Sequence, residues 1–187
     1  FFRDPEAFAA LQDKYLPPLM ENWPEDEEFR VWVAGCATGE EAYSIAIILD
    51  EIRRRFNKSS KIRVFASDLD AQAIEQGRRG SYSAGIGVDV SPERLQRYFF
   101  GDDRHGYTIR KEIRDMVVFA QHNMLSDPPF MRLQMVVCRN VLIYLQSSLQ
   151  QRLMPLFHHV LAPDGLLFLG SSESVGAENL LFDTLDT

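Results

Sequence analysis

The chain has 187 residues, enough for one domain with a sizeable core, and its 45% hydrophobic and 25% charged content is ordinary for a globular protein in water. Its net charge of −7 argues against a binder of nucleic-acid backbones, since no basic face stands out to release counterions. The two cysteines give neither a disulfide framework nor zinc spacing, no apolar run approaches transmembrane length, and no signal peptide is recognisable.

The chain opens directly on Phe1-Phe2-Arg3-Asp4, which does not read as a natural start. A segment excised from a longer protein is expected. Asp4-Pro5-Glu6 is a helix start, with Asp as N-cap, Pro at the first helical position and an acid in the first turn. That helix is expected to run to about Tyr15, with Pro17-Pro18 ending it.

Residues 31–34 form a short apolar run rich in β-branched and aromatic side chains, read as part of a buried strand over 29–34. From Glu40 to about Phe56 the apolar residues Ala42, Ile45, Ala46 and Leu49 recur at helical spacing. Between strand and helix lies Gly35-Cys36-Ala37-Thr38-Gly39. Such a small-residue turn lets a ligand approach the backbone and aims helix N-terminal amides at it. Glu40 and Glu41 occupy the first helical turn and would repel a phosphate, while a phosphate-free cationic nucleoside would be accepted. Neither a Walker lysine nor a full G-x-G-x-x-G is present. A turn serving only the fold fits the same residues.

Residues 62–67 are a second apolar strand, and it leads into Asp68. An acid at this point of a doubly wound sheet holds ribose hydroxyls. Asp70 fits a helix N-cap for a short helix over 71–77, and Asp68 has the same bland alternative. Arg53-Arg54-Arg55 and Arg78-Arg79 suit the C-terminal ends of helices.

Alternation then breaks. Residues 80–90 read as loop, Ser91-Pro92-Glu93 starts a short helix to about Phe99, and 101–106 is a polar turn. Residues 107–110 and 116–120 read as strands. Residues 81–116 are therefore taken as a small β-subdomain inserted on the main sheet, to which 116–120 returns. His122-Asn123-Met124 follows. Residues 133–138 are another buried strand, ending in Arg139-Asn140. A helix from Ser147 or Ser148 reaches about Leu161, Pro163-Asp164-Gly165 turns, and 166–169 is a last strand before Gly170-Ser171-Ser172-Glu173. Strands alternating with helices indicate an α/β fold, a mostly parallel sheet with helices on both faces. Cys36 and Cys138 both sit at the ends of predicted strands and are read as reduced, buried thiols that could lie near each other.

The stretches AGCATGEEAYSIAI, FASDLD, HNM, VVCRNVLIYL and PDGLLFLGSSES, in this order, resemble the chemotaxis receptor methyltransferases of the CheR type. The resemblance covers nearly the whole chain. The stretches GVDVSPERLQRYF, IRDMVVFAQHN and LGSSESVG look most like versions fused to other signalling domains. It implies a class I, Rossmann-like methyltransferase that is cytoplasmic, uses S-adenosylmethionine and releases S-adenosylhomocysteine. The implied acceptors are glutamate side chains on the cytoplasmic helices of chemoreceptors. Arg3 matches an arginine that contacts the cofactor near the transferred methyl, and Glu41 a carboxylate facing the methionine amino group. Asp68 matches the ribose ligand, and Asn123 and Met124 the residues flanking adenine. Arg139 and Asn140 match the methionine and sulfonium end, and Tyr144 a tyrosine lining the acceptor site. Gly35 belongs to the cofactor turn. Arg139 and Asn140 fit a purely structural strand end as well, and Tyr144 a half-buried core aromatic.

No metal is implied. An ionised glutamate acceptor needs no general base, so the lack of a Ser-His-Asp set or paired acid/base carboxylates suits the reaction. The chain departs from the family in lacking the N-terminal helical domain, in carrying Gln134 where an acid is usual, and in stopping before a final antiparallel strand. The last strand is thus expected to expose an edge. The short 101–106 loop predicts no tethering of a receptor tail peptide to the β-subdomain. Two other readings stay open: a methyltransferase with another acceptor, and a non-catalytic module that binds cofactor.

Overall fold

The computed structural model describes residues 1–176 and 180–185. Its centre is a five-stranded parallel sheet in the order β6-β2-β1-β7-β8. The strands are β1 (Phe29–Ala34), β2 (Ile62–Asp68), β6 (Val117–Gln121), β7 (Leu133–Cys138) and β8 (Leu161–Leu169). Both faces of the central strands are covered, which is why β1 and β7, apart from Arg30 and Gln134, are apolar runs rather than alternating ones.

Val31 and Val33 face one core with α3 (Glu40–Arg55), and Trp32 and Ala34 face the other with α7 (Ser147–Val160). On the first side α3 buries Ile45, Ile48, Leu49 and Ile52, each worth about 1.5–3 kcal/mol of transfer free energy. The short helix α4 (Ala71–Arg79) adds Ile74 to the same core. Asp70 caps α4, its side chain accepting from Gln72 N at 2.8 Å and Ala73 N at 3.3 Å. On the second side, Trp32 meets Phe130 and Phe157 edge to face.

The N-terminal helix does not end at Tyr15. It runs as α1 (Pro5–Ala10), a π-turn over Leu11–Tyr15, and α2 (Leu16–Glu21). Leu16 N–H reaches back to Leu11 O. This wider turn places Pro17 and Pro18 at the start of α2, where a missing N–H costs nothing.

The inserted segment forms a three-stranded antiparallel sheet, β3-β5-β4, with β3 (Ser81–Tyr82), β4 (Phe99–Asp102) and β5 (Gly106–Ile109). Residues 81–82, read as loop, are strand because they pair with β5. Phe99, read as the end of α5 (Pro92–Tyr98), instead starts β4. Lys111–Arg114 is a short helix, α6, and β6 returns to the main sheet beside β2. Pro163-Asp164-Gly165 lies inside β8 as an irregularity, since the pairing jumps from Leu133↔Leu161 to Met135↔Leu166. Gln134 is buried, and its side-chain carbonyl accepts from Arg30 N at 2.7 Å. Cys36 and Cys138 are buried in opposite cores: Cys138, on β7, shares the face of Trp32 and Ala34, while Cys36 lies past the Gly35 turn against the other core.

Candidate functional site

Strand order reverses between β1 and β7. From β1 the chain moves outward through β2 to β6, and from β7 it moves the other way to β8. Ligands of such sheets bind in the crevice at the carboxyl ends of the strands where the order reverses. Gly35 leaves β1 at this point and Arg139-Asn140 leave β7.

Gly35 sits at φ +73, and a Cβ built there would meet Val141 Cγ2 at 2.4 Å. Only glycine allows the turn to pass so close to the segment after β7. The turn is pinned from β2. Gly35 N and Cys36 N donate to Ser67 O at 2.8 and 2.9 Å, and Ala37 N donates to Asp68 Oδ2 at 2.8 Å. Asp68 Oδ1 accepts from Asp70 N at 3.0 Å, so this carboxylate spans the turn and the next loop. Tyr82 of the β-subdomain donates its hydroxyl to Thr38 O at 2.8 Å.

Arg139 crosses the crevice. Its side chain is 1% exposed. Nη1 donates to Glu41 Oε2 at 2.9 Å and to Arg3 O at 3.0 Å, and Nη2 to Asp4 Oδ2 at 2.6 Å. The guanidinium lies over Phe8 and Phe168, while its buried Nε has no hydrogen-bond partner among the described residues. Burial pushes the Glu41 carboxyl above the usual glutamate range, against the opposing pull of Arg139. Burial likewise raises the Cys36 and Cys138 thiols, which makes them poor nucleophiles.

The predicted residues do not all engage alike. Gly35, Glu41, Asp68 and Arg139 converge on the crevice through the bonds above. Asn140 follows at φ +57, a conformation uncommon for a residue with a side chain. His122 N donates to Asp68 O at 3.0 Å, which brings Asn123 and Met124 to the Asp68 side. The Asn123 side chain, however, is spent on its own turn, accepting from Leu125 N at 3.0 Å. Arg3 contributes its carbonyl to Arg139 while its side chain is exposed. Tyr144 is 82% exposed and is no core aromatic; it stands in the 3-10 turn Leu142–Tyr144 after β7. Two residues went unnoticed in the sequence. Asp4, read only as a helix cap, is an Arg139 partner. Glu173 accepts from the backbone of Asn140, Val141 and Leu142, and no local pattern announces this.

The donor set discriminates between ligands. Glu40, Glu41 and Asp68 crowd the start of α3, which has no side-chain N-cap. They repel phosphate and suit a ligand with a cationic end and hydroxyls. Each Asp68 oxygen holds one backbone N–H and keeps a lone pair able to accept from a ligand hydroxyl. Among the described residues no His/Cys/Asp/Glu group could hold a metal ion. Among the same residues no helix is long and apolar enough to cross a membrane.

Residues 1–187 match the family model for the CheR methyltransferase, SAM binding domain. The chain is 43% identical over 176 residues to an uncharacterized 104.1 kDa protein of Rhodobacter capsulatus, covering 94% of this chain and 18% of that protein. It is 36% identical over 182 residues to the chemotaxis protein methyltransferase of Escherichia coli, covering 93% and 59%. Chemotaxis protein methyltransferase 1 of Pseudomonas aeruginosa is 33% identical over 179 residues, at 94% and 65%. The chain thus spans less than two thirds of each of these relatives. Solved structures support the fold. The DszA carbon methyltransferase superposes at TM-score 0.53 with 18% identity, over 83% of this chain and 31% of that one. PKMT2 from Rickettsia typhi in complex with AdoHcy superposes at 0.50 with 17% identity, over 87% and 24%.

Proposed function

The chain belongs to the CheR methyltransferase family, a group with an S-adenosylmethionine-binding domain, and on that premise we propose that it methylates glutamate side chains on the cytoplasmic helices of bacterial chemoreceptors. The observation that carries the reading is the acidic crevice: Asp68 and Glu41 flank the glycine turn, with Arg139 opposite.

In this reading the Asp68 oxygens accept from ribose hydroxyls while still holding Ala37 N. Glu41 receives the ammonium of the methionine end, sharing its charge with Arg139. Asn123 and Met124 flank adenine. The chemistry supplied by the bound cofactor is a methyl carbon made electrophilic by a sulfonium, whose sulfur leaves as a neutral thioether. A glutamate carboxylate oxygen would take that methyl directly, the C–S electron pair staying with sulfur, so neither a base nor an acid is asked of the protein. No proton moves, so these residues serve alignment and exclusion of water rather than acid–base catalysis. Arg3 and Tyr144, both exposed, orient the incoming carboxylate.

The test is a titration with S-adenosylmethionine followed by radiolabelled methyl transfer to receptor fragments. Wild type is expected to bind at micromolar concentration and to form base-labile methyl esters. Asp68→Ala is expected to weaken binding by about tenfold or more, the loss of one to two charged hydrogen bonds. Base-stable label, or label on small acids alone, would overturn the glutamate assignment.

A further inference from the structure

Glu173 lies in the turn after β8, and its carboxylate is saturated with backbone donors. Oε2 accepts from Gly170 N at 2.8 Å and Asn140 N at 2.9 Å. Oε1 accepts from Val141 N at 2.8 Å and Leu142 N at 2.7 Å. Charge-assisted bonds of this kind are roughly twice as strong as neutral ones. The turn carrying Glu173 is itself closed, since Glu173 N donates to Gly170 O at 2.9 Å. A Cβ on Gly170 would stand 2.8 Å from Glu173 Oε2 and 3.1 Å from Asn140 N, so the packing here is close.

Three of the four donors belong to the segment between Arg139 and Tyr144. Asn140 holds φ +57, a conformation that persists when surroundings impose it. Val141 packs against Gly35. The N–H groups of Val141 and Leu142 begin the 3-10 turn that carries Tyr144, and a helical turn leaves such donors without partners of its own.

We propose that Glu173 is a positioning residue that, through residues 140–142, sets where Asn140 and Tyr144 stand relative to the glycine turn and so controls turnover more than cofactor affinity. The proposal rests on the methyl-transfer reading above. Of the residues matched to the cofactor, Asn140 alone lies within 140–142; Glu41, Asp68 and residues 123–124 sit on other elements and keep their contacts when Glu173 changes, so affinity falls less than turnover. Glutamine keeps the size of the side chain but turns an NH2 toward two N–H donors. Whichever way it flips, one side of the clamp loses its acceptor.

The experiment compares wild type, Glu173→Gln and Glu173→Asp by amide hydrogen exchange at residues 140–142, by S-adenosylmethionine titration, and by kcat and KM on receptor fragments. Glu173→Gln is expected to speed exchange there by about tenfold, to lower kcat by about tenfold or more, and to leave cofactor affinity within about threefold. Glu173→Asp keeps the charge but is one methylene short, and is expected to lose less kcat in the same pattern. If Glu173→Gln does not fold, the aspartate variant carries the same comparison. Unchanged exchange, or cofactor affinity falling as far as kcat, overturns the proposal. If wild type binds cofactor yet methylates no receptor fragment, the acceptor reading fails. Exchange and affinity in the variants then decide the positioning claim alone: opened residues 140–142 with preserved affinity support it, and unopened ones overturn it.

Discussion

Arg139 and Glu41 meet across the crevice between β7 and β1, Nη1 to Oε2 at 2.9 Å, although 98 residues separate them in the chain. The same guanidinium holds Asp4 and the Arg3 carbonyl, so one side chain ties three segments together. Removing it leaves the partly exposed carboxylates of Glu41 and Asp4 without their donor. Arg139→Met is expected to destabilise the chain by about 2–3 kcal/mol, less than for a fully buried pair because water reaches the acids left behind. Urea unfolding checks this, and a loss below about 1 kcal/mol would mean the network is solvent-screened.

Glu41 makes cofactor binding depend on pH. Burial raises its carboxyl above the ordinary glutamate range. A raised value means the fold holds the proton more tightly than the unfolded chain does. Stability contributed by Glu41 is therefore full below the ordinary glutamate value and is lost as pH rises through the raised one. Binding of a cationic cofactor runs oppositely: affinity rises through that window as Glu41 ionises, then levels. Titrations from acid to neutral pH should show this rise in wild type and lack it in Glu41→Gln. An identical rise in both proteins would assign the dependence to another group.

Gly35→Ala tests the closeness of turn and loop. The new Cβ meets Val141 Cγ2 at 2.4 Å, on a backbone at φ +73. Left-handed strain alone costs about 1–2 kcal/mol. Adding Val141→Ala removes the collision but not the strain. The double variant is expected to recover part of the lost stability and cofactor affinity, never all of it. No recovery would show that Val141 is not the obstacle.

Tyr144 separates chemistry from folding. At 82% exposed it contributes little packing, so Tyr144→Ala is expected to change stability by less than about 0.5 kcal/mol. If its hydroxyl orients the acceptor, kcat/KM for receptor fragments falls about tenfold or more while cofactor affinity holds. Full activity in this variant would remove Tyr144 from the site.

Much of the scaffold was legible along the chain. Phe29–Ala34 and Leu133–Cys138 announce themselves as strands because both faces are buried, and Glu40–Arg55 as a helix because its apolar residues recur at helical spacing. Asp68 and the glycine turn stood out for the same local reason, a strand end followed by residues suited to a ligand. Where reading failed, the deciding contact was distant. Pro17 and Pro18 look like a stop until the π-turn before them is known. Phe99 continues a helix by its neighbours but pairs with Ile109 as a strand.

Sequence by itself determined the alternation of strands and helices, the acidic glycine turn and the family resemblance, because burial period, capping and motif order are written in neighbouring residues. Tertiary structure alone decided that Arg139 binds Asp4 and Glu41, that Glu173 clamps residues 140–142, that the two thiols face opposite cores and that Tyr144 stands in solvent. Those facts depend on which strand ends lie side by side. The reversal of strand order between β1 and β7 brings remote residues together, and no local pattern encodes which charge will meet which donor there.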